Sequence, residues 1–276
     1  MRELNKHIID NSSILADEME RLVIPVHLKS IEQEHDIKIL LAVEAGSRAW
    51  GFESENSDWD VRFIYVHKPE WYFKVDEQRD VIEHMYGDGI DLAGWELRKA
   101  LGLFKKSNPS LLEWINSPKV YREDKEFVSR IREVEKDFFN PIKSMYHYNS
   151  IYNKHNERYV QRGDASMKHF LYYLRGILAC KWIENKLSLP PVPFNELVDA
   201  TVDDSKIKSK IDELIKLKKS GKEHDMRIVD NALMEYARHW ANHFNESIGS
   251  FRPELNAGAT EALDAIMYDM VFANKK

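Results

Sequence analysis

From Ile37 the chain runs through "IKILLAVEA", then Gly46-Ser47, then ten residues, then "DWD" (58–60) at the head of a second apolar run ending at Val66. A continuous apolar run of this length reads as a buried strand over 37–45, and the β-branched and aromatic run after it as a second strand over 58–66. Alternate side chains of a strand face the same way. Asp58, Asp60, Arg62 and Ile64 therefore share one face of the second strand, and Trp59, Val61, Phe63 and Tyr65 the other. The apolar face belongs to a core. Two carboxylates side by side on the opposite face repel and lose hydration unless a cation relieves them. Magnesium suits that task, because it takes oxygen ligands and keeps waters that phosphate oxygens can replace.

Gly46-Ser47 closes the first strand where "SRAWGF" can open a short helix. Glycine lets the backbone approach a ligand closely, and free N–H groups at a helix start bind phosphate oxygens. The ligand to expect is a nucleoside triphosphate with its metal. Two-metal transfer of a phosphoryl or nucleotidyl group calls for a third acidic ligand. Asp91, just after the Gly87-Asp88-Gly89 turn on a strand able to lie beside 58–66, is the candidate. In this scheme two magnesium ions, with manganese as substitute, are held by Asp58, Asp60 and Asp91. Asp91 also helps to deprotonate an incoming hydroxyl, which attacks the α-phosphorus and expels pyrophosphate.

The rest of the chain falls into two halves. Residues 12–35 read as a helix capped by Ser12 or Ser13 and kinked at Pro25, and 80–86 with 90–94 read as a hairpin around Gly87–Gly89. A helix follows in "ELRKALGLFKKS", and Asn108-Pro109 ends it and opens another. From about Asp124 strand signals vanish. Helical periods then cover 123–137, 141–162, 165–187, 193–199, 204–219, 227–247 and 258–273, with the Pro-rich "LSLPPVPF" as a break. The expected fold class is α/β (α+β): a mixed-sheet domain over 1–123 and an all-helical domain over 124–276, with the cleft between them.

Composition narrows the function classes. With 43% hydrophobic and 31% charged residues the chain is expected to be globular, and no apolar run reaches the ~20 residues that span a bilayer. The N-terminus lacks the apolar core of a secretory signal, so the cytoplasm is the expected location. A net charge of −6 gives no global attraction to nucleic acid, and the single cysteine, Cys180, excludes an intrachain disulfide and a thiolate zinc cluster. His147 and His155 lack partner ligands in the sequence and read as polar edge residues.

A strand, Gly-Ser, about ten residues, Asp-x-Asp opening a strand and a lone Asp on a later strand is similar to the signature of the DNA polymerase beta nucleotidyltransferase superfamily. The longer stretches "GSRAWGFESENSDWDVRFIYV", "DLAGWELRKALGLFKKSNPSLLEWINSPKVYRE" and "KHFLYYLRGILACKWIENKLSLPPVPFNEL" resemble one branch of it, the RNA-ligase-associated nucleotidyltransferase family RlaP, over roughly residues 37 to 200. The resemblance implies a polymerase-beta-like domain and a second domain that donates a lysine or arginine and a tyrosine to the triphosphate. Lys168 and Tyr172 match that role, with Arg175 on the same helical face. It also implies a link to RNA ends, so an RNA terminus is the first acceptor to consider, then a protein side chain or a small molecule.

Gly46 and Ser47 complete the expected nucleotide contacts together with Arg48 and Arg62. Arg48 either reaches the triphosphate or lies idle on the surface. Arg62 either contacts phosphate or offsets the acidic cluster. Arg98, Lys99, Lys105 and Lys106 read as a solvated face behind the Leu97, Leu101 and Phe104 stripe, and the charged run 203–224 as a solvated helix with an RNA contact as its alternative. The readings from other classes are a nucleotide- or RNA-binding sensor without chemistry and a toxin–antitoxin type of interaction protein.

Overall fold

The computed structural model describes residues 18–87, 89–157, 167–221 and 230–273, so the Ser12 and Ser13 caps and Asp88 lie outside the described residues. A five-stranded sheet in the order β3-β4-β2-β1-β5 carries the N-terminal half, formed by β1 (Ile37–Glu44), β2 (Trp59–His67), β3 (Val81–Met85), β4 (Ile90–Glu96) and β5 (Val120–Glu123). Among the described residues β2 and β4 pair in parallel and the other neighbours antiparallel, which makes the sheet mixed, as expected. The hairpin around Gly87 joins β3 to β4 in antiparallel register.

β5 has no counterpart in the sequence reading, which ends the strands before it. It is four residues long with no alternation of burial, so it carries no period-two signal; pairing with β1 makes it a strand. Pro25 acts through its missing N–H. The backbone ahead of it, Met19–Val23, is wound as a π-helix, and the α-helix Ile24–His35 starts there with proline in its first turn. Asn108 and Asn140 each cap a helix whose first residue is proline, accepting from the backbone N–H of Leu111 and Lys143 at 3.0 Å.

Three cores result. The helix Ile24–His35 covers one sheet face, over Ile39, Val61, Phe63 and Leu92. The helices Leu97–Lys105, Pro109–Ile115 and Lys125–Glu133 cover the other face, joined by the last helix, Thr260–Ala273, through Leu263, Ile266 and Met270. Residues 125–139 and 260–273, placed with the helical half by sequence, thus share a core with the sheet. The third core lies among the helices Pro141–Asn156, Met167–Lys186, Phe194–Thr201, Ser205–Lys219 and Asn231–Ser247, and contains the buried thiol of Cys180. Phe52, from the loop after the short helix Gly46–Trp50, is fully buried in this helical core and meets Phe194 edge-on at 5.4 Å. The site segment is therefore anchored at one end in the sheet and at the other in the helices. No helix among the described residues is long and apolar enough to cross a membrane.

Candidate functional site

Parallel pairing of β2 with β4 sets Asp60 directly beside Asp91. Left alone, the two carboxylates would repel. Arg62, two residues along the same face from Asp60, lies between them: its Nη2 donates to Asp60 Oδ1 at 2.9 Å and to Asp91 Oδ2 at 2.8 Å, and its Nη1 to the Asp91 carbonyl at 2.9 Å. Of the two roles open to Arg62 in the sequence, the structure shows the offset of the acidic cluster. Asp60 still has its pKa raised, first by burial and then by the charges of Asp91 and Asp58, with Arg62 and Lys168 opposing.

Gly46 makes the arrangement possible. Its φ is +59°, in the left-handed region, and a Cβ there would stand 2.3 Å from Asp60 Oδ2. The Ala45 N–H donates to the Asp60 carbonyl at 2.8 Å, which ties the turn to β2. Ser47 follows, buried in the first turn of the short helix.

Arg48 is buried rather than idle on the surface. Its Nη2 donates to the Ser57 carbonyl at 2.7 Å and its Nε to the Asp58 carbonyl at 3.2 Å, while its guanidinium lies 3.7 Å over the Trp59 ring. Buried in this way, it holds the loop that presents exposed Asp58. Across from the sheet, Lys168 and Tyr172 of Met167–Lys186 lie near Asp60: the Lys168 ammonium opposes the rise in the Asp60 pKa, and the Asp60 carboxylate acts on the Tyr172 phenol. Tyr172 packs edge-on against Trp50 at 4.9 Å, and burial, reinforced by the Asp60 charge, pushes its phenol up to about 12.

Among the described residues, no three His, Cys, Asp or Glu side chains are grouped so as to hold a metal ion. The expected convergence of Asp58, Asp60 and Asp91 is not the arrangement seen, because Arg62 ties Asp60 to Asp91 and Asp58 stands on the loop outside them. The donors still have the chemistry of a hard-cation site: all are carboxylate oxygens, and Arg62 leaves Asp60 Oδ2 and Asp91 Oδ1 unclaimed.

Two groups escaped the sequence reading. Glu44 closes β1 fully buried, its Oε1 accepting from the Asp60 N–H at 2.9 Å and its Oε2 from the Tyr121 hydroxyl at 2.5 Å. Burial raises its pKa from 4.5 to about 7, against the pull of those two hydrogen bonds. A lone acid inside an apolar strand run was the available signal. The second is a buried polar knot: Glu113 accepts from Tyr148 at 2.7 Å, from Arg175 Nη1 at 3.1 Å and from Trp50 Nε1 at 3.2 Å. Its partners come from three helices, so no local pattern announces it. The knot lines a cavity of about 320 Å³ that also touches Gly46. A larger cavity of about 510 Å³, under the Pro190–Pro193 segment, contains none of the candidate residues.

Residues 21–268 match the family RlaP, described as the RNA repair pathway DNA polymerase beta family. A Bacillus subtilis (strain 168) relative, the uncharacterized protein YcgL, is 46% identical over 199 residues, which is 72% of this chain and 76% of the relative. A solved structure, a nucleotidyltransferase-like protein from Exiguobacterium sibiricum, is 12% identical and covers 92% of this chain and 81% of its own, with a TM-score of 0.33.

Proposed function

Because the chain belongs to the RlaP family of polymerase-beta-like nucleotidyltransferases, we propose that it moves a nucleoside monophosphate from a nucleoside triphosphate to an acceptor hydroxyl, with an RNA terminus as the acceptor. The observation that carries this reading is the pairing of Asp60 with Asp91 on parallel strands, with Gly46 against Asp60 and Lys168 and Tyr172 facing them from the helical half.

In this reading Gly46 and Ser47 receive the phosphates and Lys168 balances their charge. Tyr172 borders the triphosphate, and the helix that carries these two residues closes the cleft over it. Asp91 takes the proton of the incoming hydroxyl, which attacks the α-phosphorus as pyrophosphate leaves. Asp58, Asp60 and Asp91 would hold two magnesium ions, or manganese in their place, which supply charge neutralisation at the phosphates and activation of the hydroxyl. Asp60 Oδ2, free of Arg62 and facing Gly46, is the oxygen best placed for that role.

The Arg62 bridge favours a second reading, a nucleotide- or RNA-binding sensor in which the arginine permanently substitutes for the cation. One experiment separates the two. The protein is incubated with each α-labelled nucleoside triphosphate and magnesium or manganese, over RNA, cell protein and small-molecule extract. Label is expected in the RNA pool, with pyrophosphate released, and both are expected to vanish in Asp60→Asn and Asp91→Asn. Nucleotide binding without transfer to any pool supports the sensor. Transfer that is unchanged in both variants refutes the assignment of the carboxylates.

A further inference from the structure

The sequence carries two basic stretches, Lys105-Lys106 and the charged run 203–224, and their surroundings differ. On the helix Ser205–Lys219, Lys208 and Lys210 spend their charge on Asp199, at 3.5 Å, and on Asp230. Lys105 and Lys106, exposed at the end of the helix Leu97–Lys105, form no ion pair among the described residues. The helix Pro141–Asn156 starts beside them, where Lys143 Nζ donates to the Lys106 carbonyl at 2.9 Å.

Along that helix Lys143, Tyr146, Ser150 and Lys154 recur at three- and four-residue steps, so they share one face, and all four are exposed. Neither lysine of this face pairs with a carboxylate among the described residues. Tyr146 is 50% exposed, a large ring left in water between the two cations. The chain as a whole carries a net charge of −6, so a band of four lysines without acidic partners runs against its average.

The band borders the candidate site. His147, next to Tyr146, lines the cavity that reaches Gly46, and so does His155, next to Lys154. His155 lies 4.9 Å from the Tyr172 ring and 5.4 Å from that of His169, the neighbour of Lys168. From Lys106 the band therefore follows the rim of the cavity to the helix that faces Asp60. Between Lys143 and Lys154 the helix rises about 16 Å at ~1.5 Å per residue. At the ~3.4 Å axial spacing of charges on one nucleic-acid strand, about five phosphates fall along that length. An acidic polypeptide would also meet the lysines, but it has no use for the exposed ring. Unstacked bases do, since stacking on an aromatic ring accepts any base and adds to phosphate contacts.

We propose that the band formed by Lys105, Lys106, Lys143, Tyr146 and Lys154 seats single-stranded RNA and leads its terminus toward the Asp60–Asp91 pair. The seat rests on the nucleotidyltransferase reading only for what happens at that terminus. It also moves the RNA contact away from the 203–224 run, where acids already hold Lys208 and Lys210.

Binding of a short, dye-labelled single-stranded RNA of mixed sequence to the full chain is read by fluorescence anisotropy at several salt concentrations, without nucleotide. Four phosphate contacts give a slope of about −2.8 in log affinity against log salt, a loss of about fiftyfold between 50 and 200 mM. The double variant Lys143→Gln, Lys154→Gln should halve that slope and leave the affinity for magnesium-bound nucleotide as it was. Tyr146→Ala should weaken the RNA about fivefold or more. Lys208→Gln with Lys210→Gln, the control on the other basic stretch, should change nothing. On the unaltered protein, duplex RNA and polyglutamate should bind more weakly than the single strand, a comparison that stands even if a variant fails to fold. Polyglutamate or duplex bound as tightly as the single strand, an unchanged slope in the Lys143 and Lys154 variant, or an equal loss in the control overturns the seat. Label transferred to protein or a small molecule with no RNA bound also overturns it and leaves nucleotidyl transfer standing. RNA bound as expected but never labelled supports the seat and refutes the RNA terminus as acceptor.

Discussion

Replacing Gly46 with alanine perturbs the site while leaving every carboxylate in the chain. The residue has φ +59°, a conformation that costs an L-residue about 1–2 kcal/mol. The added Cβ would stand 2.3 Å from Asp60 Oδ2 and 3.2 Å from its Cγ, inside the ~3.5 Å of an ordinary non-bonded contact. Since Gly46 is pinned through the Ala45 N–H to the Asp60 carbonyl, the backbones cannot separate cheaply and the Asp60 side chain has to turn away. That breaks one arm of the Arg62 bridge, a half-exposed ion pair whose loss adds about 0–1 kcal/mol. Gly46→Ala is thus expected to lower the unfolding free energy by about 2 kcal/mol in urea denaturation. Displacing a reacting group by about an ångström costs on the order of a hundredfold in rate, so transfer of labelled nucleotide should fall by that much in a protein that remains folded. A variant within about 0.5 kcal/mol of the parent that transfers nucleotide within about threefold of it would refute the close approach of Gly46 to Asp60.

The remaining predictions concern the groups around the site. Glu44 has its folded pKa raised from 4.5 to about 7, so its contribution to stability is fully present below pH 4.5 and declines as pH rises through 7. The raised value corresponds to roughly 3 kcal/mol across that window. Glu44→Gln, which can still accept from the Asp60 N–H, should flatten this part of the pH dependence in urea unfolding measured between pH 4.5 and 8, and parallel curves for the two proteins would contradict the buried acid. Phe52→Ala removes a fully buried ring packed against Phe194, Trp50 and Tyr172, at a cost of about 3–5 kcal/mol. It should also change the tryptophan fluorescence through Trp50, and a loss under about 1 kcal/mol would mean that the loop is not anchored in the helical core.

Local chemistry is legible wherever it is written in consecutive residues. β1 and β2 lie within a residue of the sequence reading, because an apolar run and a period-two alternation are properties of a strand itself. Asn108-Pro109 marks a helix start because cap and proline act within one turn. The short edge strand Val120–Glu123 was not legible, since its identity comes from hydrogen bonds to β1, about 80 residues earlier. Arg48 shows the same limit from the other side: its place next to Gly46-Ser47 in sequence did not report that burial would give its guanidinium to the Ser57 and Asp58 carbonyls.

The sequence by itself determined the face of β2 that carries Asp60 and Arg62, the Gly-Ser turn before it and the family to which the chain belongs, because each is written in short runs of consecutive residues. Only the tertiary structure decided that Arg62 bridges Asp60 and Asp91, that Glu44 sits behind Asp60, and that the last helix returns to the sheet. The Trp50, Glu113, Tyr148 and Arg175 knot is of the same kind. The physical reason is common to all of these. A side chain's charge state and partners are set by the low-dielectric surroundings that distant segments build around it, and one-dimensional spacing does not report which segments those are.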